Sequence, residues 1–223
     1  MDDELIKQIF GWTGAAIATY FFLAPVVLFH QLVNEQKDIK DIPGILLICS
    51  LMNCVLWLDY GLLDDSLQVY FTNGLGGAIT LIWITIFLIY LGKQNCGYAF
   101  VLILLLMAFV GGVSYVFYFI ISKKLTGLAA MVFNVLMYAA PGEKIVRVFK
   151  TKKYNLIPIF STLGGFFCSL CWLMFGIYKS DKNLIIPNGL GLFFAILQII
   201  VYLVFYCKKR SEENFDIDDD QIA

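Results

Sequence analysis

The chain carries one residue pattern twice, and the two copies lie 115 positions apart. In each copy a tryptophan is followed by a glycine four residues later and by an Asn-Gly-Leu-Gly run sixteen residues later. The copies are Trp57, Gly61 and Asn73–Gly76, and Trp172, Gly176 and Asn188–Gly191. Because duplicated halves of an apolar chain meet at a shared pseudo-symmetry axis, we expect the functional site to lie between them.

The composition predicts that this duplication lies in a membrane. The chain is 60% hydrophobic and only 15% charged, with a mean hydropathy of +0.80. A spanning helix needs about 20 apolar residues to cross about 30 Å of hydrocarbon. Seven stretches qualify: Phe10–Leu32, Ile42–Leu63, Tyr70–Leu91, Tyr98–Ile121, Leu125–Phe149, Leu156–Tyr178 and Leu184–Cys207. We therefore predict an all-α membrane protein without a soluble domain.

Each repeat contains three of these helices, so the predicted plan is 3+1+3. Residues 1–95 form the first three-helix repeat, 96–124 a linker helix, and 125–207 the second repeat. Residues 208–223 are polar and acidic toward the end, which predicts a disordered cytosolic tail. Because three is an odd number, the fourth helix turns the chain back and the two bundles run parallel.

The charges indicate orientation and exclude several kinds of partner. Eleven of the 16 Lys and Arg residues fall on the side that carries the C-terminus, which places the C-terminus in the cytosol and the N-terminus outside. A net charge of −1 gives no reason to expect nucleic acid. The sequence contains no Gly-rich phosphate loop, His/Cys metal cluster or Ser/His/Asp set, so we expect no cofactor, no metal and no enzyme.

Four repeated side chains are candidate ligand-binding residues. Asn73 and Asn188 each place a carboxamide, which offers donors and an acceptor, inside a membrane helix. Trp57 and Trp172 each offer a flat apolar face and one N–H donor. Two indoles against the apolar faces of a sugar ring and two amides at its hydroxyl rim would suit a neutral sugar. The alternatives are that each asparagine ties two helices together and that the tryptophans are interfacial anchors.

A second set of residues is a candidate for gating. Pro25, Pro43, Pro141 and Pro158 fall at one depth near the cytosolic side, two in each repeat, and would act as hinges or narrow points. Pro43 and Pro158 also fit ordinary helix-start prolines. Near the outer ends of their helices, Tyr60 and Asp181 could close the external mouth through a phenol–carboxylate hydrogen bond, although an ordinary loop charge explains Asp181 equally well.

These residues together resemble the eukaryotic SWEET sugar transporters of the MtN3/saliva superfamily. The matching segments are Ala24-Pro25-Val26, Leu51–Trp57, Tyr60-Gly61, Thr72-Asn73-Gly74, Lys150-Thr151-Lys152, Ile157-Pro158 and Ile186-Pro187-Asn188-Gly189. The resemblance implies that the asparagines bind sugar in a tryptophan-lined pocket, that the four prolines form the family's proline tetrad, and that Tyr60 and Asp181 are its outer gate. It also implies facilitated diffusion without ion coupling.

The sequence therefore predicts a passive, bidirectional uniporter that moves a monosaccharide by alternating access. Plant members of the resembled family often carry a smaller residue where Trp57 stands, and the large indole would narrow the pocket, which favours a monosaccharide over sucrose. Glucose is the expected monosaccharide. A proton-coupled, cystine-type amino-acid transporter of the related Pro-Gln-loop type is the alternative, but neither Pro25 nor Pro141 precedes a glutamine. A seven-helix receptor is less favoured, because it needs no duplication. We expect a homo-oligomer in the plasma membrane, with an internal membrane as the alternative.

Overall fold

The computed structural model describes residues 2–34, 44–91 and 96–222, and these residues are helical almost throughout. The helices are α1 (Asp3–Leu23), α2 (Pro25–Asn34), α3 (Gly44–Leu63), α4 (Leu67–Leu91), α5 (Cys96–Tyr115), α6 (Lys123–Leu136), α7 (Ala139–Thr151), α8 (Ile159–Lys179) and α9 (Lys182–Ile222). Seven segments are long and apolar enough to span a membrane. The prediction of an all-α, seven-span protein is confirmed.

Two of the seven spans are broken at equivalent places by the local sequence. The first span consists of α1 and the start of α2, with Pro25 as the first residue of α2. The fifth consists of α6 and α7, separated by a turn at Met137 and Tyr138, so that Pro141 lies in the first turn of α7. Because a first-turn proline gives up no intrahelical hydrogen bond, both prolines begin a new helix at little cost.

The fourth and seventh spans differ in detail from the sequence prediction. The described part of the linker span ends in a single π-helical turn, Val116–Ile120, which follows α5. Helix α9 continues beyond the end of its span at residue 211 and reaches Ile222, where the sequence predicts a disordered tail.

The second and third spans of each repeat form a tight helical hairpin. Residues Asp65 and Ser180, which are 115 apart, both adopt the left-handed conformation at the turns, with φ of 47° and 56°. Below the turns, the helices approach closely at Gly61 and Gly176. A Cβ on Gly61 would lie 2.6 Å from the Tyr70 backbone nitrogen, and one on Gly176 would lie 2.9 Å from the Leu184 Cβ. We call this end of the molecule the hairpin side and the opposite end the C-terminal side.

Replacing Gly61 with alanine is expected to lower thermal stability. The added methyl would press against the backbone of α4, which cannot rotate away, and overpacking costs about 1–3 kcal/mol. The matched control is Gly111→Ala, because a Cβ there meets nothing within 4 Å. Melting of both variants in the same detergent tests this, and an unchanged melting temperature for Gly61→Ala would contradict the tight approach.

The two repeats pack face to face with pseudo-twofold symmetry. Helix α1 of the first repeat lies against α8 of the second, and its counterpart α6 lies against α3. At the first contact Gly11 makes room for the Phe175 ring, and at the second Gly127 makes room for the Tyr60 ring. The buried core between the repeats contains matched pairs: Trp57 with Trp172, Tyr60 with Phe175, and Val69 with Leu184. The site described next lies along this seam.

Candidate functional site

A cavity of about 430 Å³ lies between the repeats, bordered by helices of both. All four side chains that the sequence singled out for binding are in its lining: Trp57, Asn73, Trp172 and Asn188. The volume falls within the range of about 300–1,000 Å³ that is typical of small-molecule sites. The seam therefore brings the repeated residues to one place; that they bind a ligand stays a prediction.

The two asparagines adopt the same arrangement in the two repeats. Asn73 Nδ2 donates to the Val69 carbonyl oxygen at 2.8 Å, and Asn188 Nδ2 donates to the Leu184 carbonyl oxygen at 2.8 Å. Each bond stays within its own helix, so among the described residues neither amide ties two helices together. An amide has a second N–H and a carbonyl oxygen. These groups remain available to a molecule in the cavity.

The two tryptophans close the cavity toward the hairpin side. Trp57 and Trp172 are only 4% and 8% exposed, so they are not interfacial anchors. Each ring meets a second ring edge-on, Trp57 against Tyr60 at 5.7 Å and Trp172 against Phe175 at 5.6 Å between centroids. Because both indoles pack in the buried core between the repeats, their positions depend on the relative orientation of the two repeats.

The other two tryptophans, Trp12 and Trp83, lie outside the cavity. Trp12 is 40% exposed and meets the Phe71 ring edge-on. Trp83 stacks on Phe29 and donates its indole N–H to the Phe22 carbonyl oxygen at 2.9 Å. The Phe22 carbonyl lies next to the helix break before Pro25, and the indole N–H gives this carbonyl a hydrogen-bond partner.

The final glycine of each Asn-Gly-Leu-Gly run accommodates an aromatic side chain of the first span in its repeat. A Cβ on Gly76 would overlap the Phe22 ring, and a Cβ on Gly191 would overlap the Tyr138 hydroxyl. Phe22 and Tyr138 both line the cavity. The repeated run thus places an amide at the cavity and, one turn later, leaves room for the ring beside it.

The sequence analysis missed several polar lining residues because the repeats do not share them. Asn53 lies where the second repeat has Cys168, at the offset of 115 residues. Asn134 lies where the first repeat has Ala18, at the offset of 116 that relates Pro25 to Pro141 in the first span of each repeat; all four line the cavity. The side-chain oxygen of Asn53 is buried without a hydrogen-bond partner among the described residues. One signal was present, since Asn53 precedes Trp57 by one helical turn and so shares its face.

The cavity lining carries no formal charge among the described residues. It combines aromatic and aliphatic surface with amides, the hydroxyls of Ser50, Thr72, Tyr138 and Ser169, and the thiol of Cys168. A charged ligand would leave its charge uncompensated in this apolar surrounding, which is costly. The lining therefore favours a neutral, hydroxyl-rich molecule.

A smaller cavity of about 230 Å³ continues from the central one toward the C-terminal side. The two share Phe21, Tyr138, Pro141, Gly165 and Ser169, and the smaller one extends to Lys144 and Pro158. Of the predicted proline tetrad, Pro141 and Pro158 thus lie along this passage. Pro25 is half-buried at the start of α2, and Pro43 lies outside the described residues.

A short polar chain crosses the wall of this passage. The Gln198 side chain donates to the Pro141 carbonyl oxygen at 3.2 Å and accepts from the Thr162 hydroxyl at 3.3 Å. Because Gln198 belongs to α9 and Thr162 to α8, the chain joins three helices of the second repeat around Pro141.

The hairpin side is closed by contacts across the seam. Tyr60 Oη donates to Asp181 Oδ2 at 2.7 Å and accepts from Asn183 Nδ2 at 3.2 Å. The sequence paired Tyr60 with Asp181 as an outer gate, and the structure places the two groups in direct contact. Tyr60 is 3% exposed, so its side chain fills the space between the two repeats at this end as well as linking them by hydrogen bonds.

A second contact on the hairpin side was not anticipated. Asp64 Oδ2 lies 3.0 Å from Lys179 Nζ, and Asp64 Oδ1 lies 2.9 Å from Lys123 Nζ. Asp64 and Lys179 occupy the same position in the two repeats but carry opposite charges. We call these three residues the ionic latch.

Comparison with known proteins identifies the family. The family described as "Sugar efflux transporter for intercellular exchange" matches residues 8–95 and, a second time, residues 124–210. The chain belongs to the SWEET family. The two matches correspond to the two repeats and leave the linker helix between them. SWEET proteins are transporters, so this chain is an integral membrane transporter and not an enzyme.

Several SWEET relatives match over nearly the whole chain. The bidirectional sugar transporter SWEET1 of Arabidopsis thaliana is 34% identical over 224 residues, which cover 97% of this chain and 90% of the relative. SWEET7b of Oryza sativa subsp. japonica, also called a bidirectional sugar transporter, is 30% identical and covers 96% and 84%. The structure of a eukaryotic SWEET transporter superposes with a TM-score of 0.82 at 24% identity, covering 92% of this chain and 99% of that one. That likeness supports the fold.

Proposed function

We propose that this protein is a passive, bidirectional uniporter that carries a neutral monosaccharide, with glucose as the favoured substrate. The observation that carries the proposal is the uncharged cavity between the repeats, with paired amides and paired indoles in its lining. The names of the relatives, bidirectional sugar transporters, support the same function.

The proposed recognition uses two kinds of contact. The free N–H and C=O of Asn73 and Asn188 hydrogen-bond sugar hydroxyls, and the indoles of Trp57 and Trp172 cover the apolar C–H faces of the ring. Asn53 adds an amide whose buried oxygen has no protein partner among the described residues, so a sugar hydroxyl can satisfy it. These contacts favour a single ring, because the buried indoles limit the room for a second sugar.

The proposed mechanism is alternating access. Tyr60, Asp181 and the ionic latch make contacts across the seam on the hairpin side, and the cavity continues toward Pro158 on the C-terminal side. These contacts support a state that is closed on the hairpin side. Opening the other way requires these cross-seam contacts to break and the helices around Pro141 to close, which amounts to rocking one bundle against the other.

The proposed transport needs no ion gradient. Among the described residues, no carboxylate, histidine or lysine lines the central cavity, so nothing there binds a proton together with the sugar. We place the C-terminus in the cytosol, as the lysine and arginine distribution predicts. We also propose a homo-oligomer in the plasma membrane.

Uptake by purified protein in liposomes tests the function. We expect radiolabelled glucose to equilibrate in both directions, at the same rate with and without a proton gradient. The absence of uptake with every monosaccharide tried would contradict the proposal. Acceleration by a proton gradient would instead favour the proton-coupled alternative.

Replacing Trp172 with alanine is expected to weaken glucose binding by about tenfold or more, because the variant loses the indole face against which the sugar ring would pack, and a loss of about 1.4 kcal/mol of such contact corresponds to tenfold. Trp12→Ala is the matched control, since it removes an indole that is exposed outside the cavity. Equilibrium binding and melting temperature should be measured for both. Equal losses of binding would point to general destabilisation.

A further inference from the structure

The two helix contacts that join the repeats use equivalent positions but different chemistry. Helix α1 lies against α8, and α6 lies against α3, so the pseudo-twofold axis relates one contact to the other. On the hairpin side each contact contains a glycine of a first span, Gly11 in the α1–α8 contact and Gly127 in the α3–α6 contact. These glycines are 116 residues apart, which is the offset between the first spans. The two contacts can therefore be compared residue by residue.

The α3–α6 contact is closed by polar groups. The Tyr60 ring lies against Gly127, and its hydroxyl bonds to Asp181 and Asn183 of the second repeat. The ionic latch joins the end of α3 to α6 and α8 beside it. Because water can take the place of each partner when such groups separate, the net cost of breaking these contacts is modest.

The equivalent positions in the α1–α8 contact lack this polar closure. Phe175, Ser66 and Gln68 stand where the α3–α6 contact has Tyr60, Asp181 and Asn183. Phe175 is 1% exposed and packs against Gly11 with a ring that has no hydroxyl. The side-chain oxygen of Ser66 is buried without a hydrogen-bond partner among the described residues. The Gln68 amide donates to Gln8, which belongs to its own repeat.

Helices α1 and α8 also approach each other closely beyond Phe175. A Cβ on Gly14 would lie 3.1 Å from Trp172 Nε1 and 3.3 Å from the Cys171 Cβ. At the equivalent position α6 carries Ala130 in place of Gly14. Small residues that allow such an approach are typical of stable helix association in membranes. Separating α1 from α8 on the hairpin side would expose this apolar surface to water, which is costly.

The linker contains a place where the α3–α6 contact can change. The Ser114 hydroxyl donates to Asp59 Oδ1 at 2.7 Å, which attaches α5 to α3. The Thr126 hydroxyl of α6 donates to the Phe117 carbonyl oxygen at 3.0 Å. The π-helical turn Val116–Ile120 therefore lies between the attachment to α3 and the start of α6. A movement of α6 relative to α3 must be taken up there, and π-helical turns are frequent at functional sites.

We propose that the hairpin side opens at the α3–α6 contact, while the α1–α8 contact stays packed and is the hinge between the repeats. Phe175 is the positioning residue of this hinge, because its ring fills the space beside Gly11 in both the closed and the open state. The inference rests on the alternating access proposed above and adds which of the two contacts moves.

Distances between pairs of spin labels test the hinge, in a background in which the six cysteines of the chain are replaced. Labels at Leu62 and Leu125 report on the α3–α6 contact, and labels at Ile177 and Ile9 occupy the equivalent positions at the α1–α8 contact. All four side chains are 43–52% exposed. In Tyr60→Phe, alone or combined with Asp64→Asn, we expect the population with a longer 62–125 distance to rise about tenfold or more. The 9–177 distance should stay at its wild-type value.

The matched control is Phe175→Leu, which removes part of the ring at the position equivalent to Tyr60. Because the hinge is packed in both states, this variant should lower the melting temperature without lengthening either distance. A longer 9–177 distance in Phe175→Leu would instead make the α1–α8 contact a second gate and would overturn the hinge.

Three results for the Tyr60 variants would also overturn the inference. Lengthening of both distances would show that the repeats separate along their whole interface. Lengthening of the 9–177 distance alone would place the hinge at the α3–α6 contact. No lengthening, even in the combined variant, would show that the polar groups do not hold that contact closed. These distances are measured without sugar, so a failure of the proposed transport appears only in glucose uptake and is distinguishable from a failure of the hinge.

Discussion

Replacing both Asn73 and Asn188 with alanine is expected to lower glucose uptake about 100-fold. Each amide donates one hydrogen to its own helix and keeps the rest of its hydrogen-bonding capacity for the cavity. Losing one partner of a buried hydrogen bond costs about 1–3 kcal/mol, so each single variant should lose about tenfold and the double variant about 100-fold. Because the two asparagines are equivalent in the repeats, we expect the two single variants to lose similar activity.

The matched control for the asparagines is Thr85→Ala. Thr85 lies on the same helix as Asn73 and also bonds to the carbonyl oxygen four residues earlier, that of Leu81, at 2.8 Å. It does not line the cavity. The control therefore removes the same kind of intrahelical bond without removing a cavity amide. Full uptake by the double asparagine variant, or equal loss in the control, would show that the amides do not act on the sugar.

The seven spans were predictable because the membrane imposes a length on each helix. The hydrocarbon requires about 20 apolar residues per span, and the described residues contain seven such stretches. The breaks at Pro25 and Pro141 were also predictable, because proline lacks the N–H that would bond to the carbonyl four residues earlier. The single π-helical turn after Tyr115 was not, because no breaker residue in the sequence marks it.

The candidate site was predictable only where the repeats agree. The repeat predicted Asn73, Asn188 and the two cavity tryptophans. The evidence for them was that each residue recurs in the other repeat 115 positions away. Asn53 has no counterpart, so a search for repeated residues passes over it. A monosaccharide is not twofold symmetric, so we expect the residues that differ between the halves to fit its shape.

The ionic latch was also missed by a search for repeated residues, although two of its members occupy equivalent positions. Asp64 and Lys179 occupy one repeat position, but they differ in residue type and so do not count as a repeat. Positions near a pseudo-twofold axis meet their own counterparts, and opposite charges there attract where identical ones would repel. A search for opposite charges 115 residues apart would have found this pair.

Reversing one charge of the ionic latch is expected to open the hairpin side. Asp64→Lys places three lysines at one point, and Lys179→Asp places two carboxylates there. Both partners of the Asp64–Lys179 pair are mostly buried, with side-chain exposures of 13% and 22%, so solvent screens the repulsion only in part. We expect the ratio of open to closed hairpin side to rise about tenfold or more.

Distances between spin labels at positions 67 and 182 measure this opening. Leu67 and Lys182 are exposed and begin α4 and α9 at equivalent places on the hairpin side. Each single reversal should lengthen the distance, whereas Asp64→Lys combined with Lys179→Asp restores the attraction and should return it to the wild-type value. Single reversals that leave the distance unchanged would assign the closure to the Tyr60–Asp181 hydrogen bond alone. A swap that stays open would show that the reversals do not act through the charge pair, because the swap restores that pair with its sign reversed.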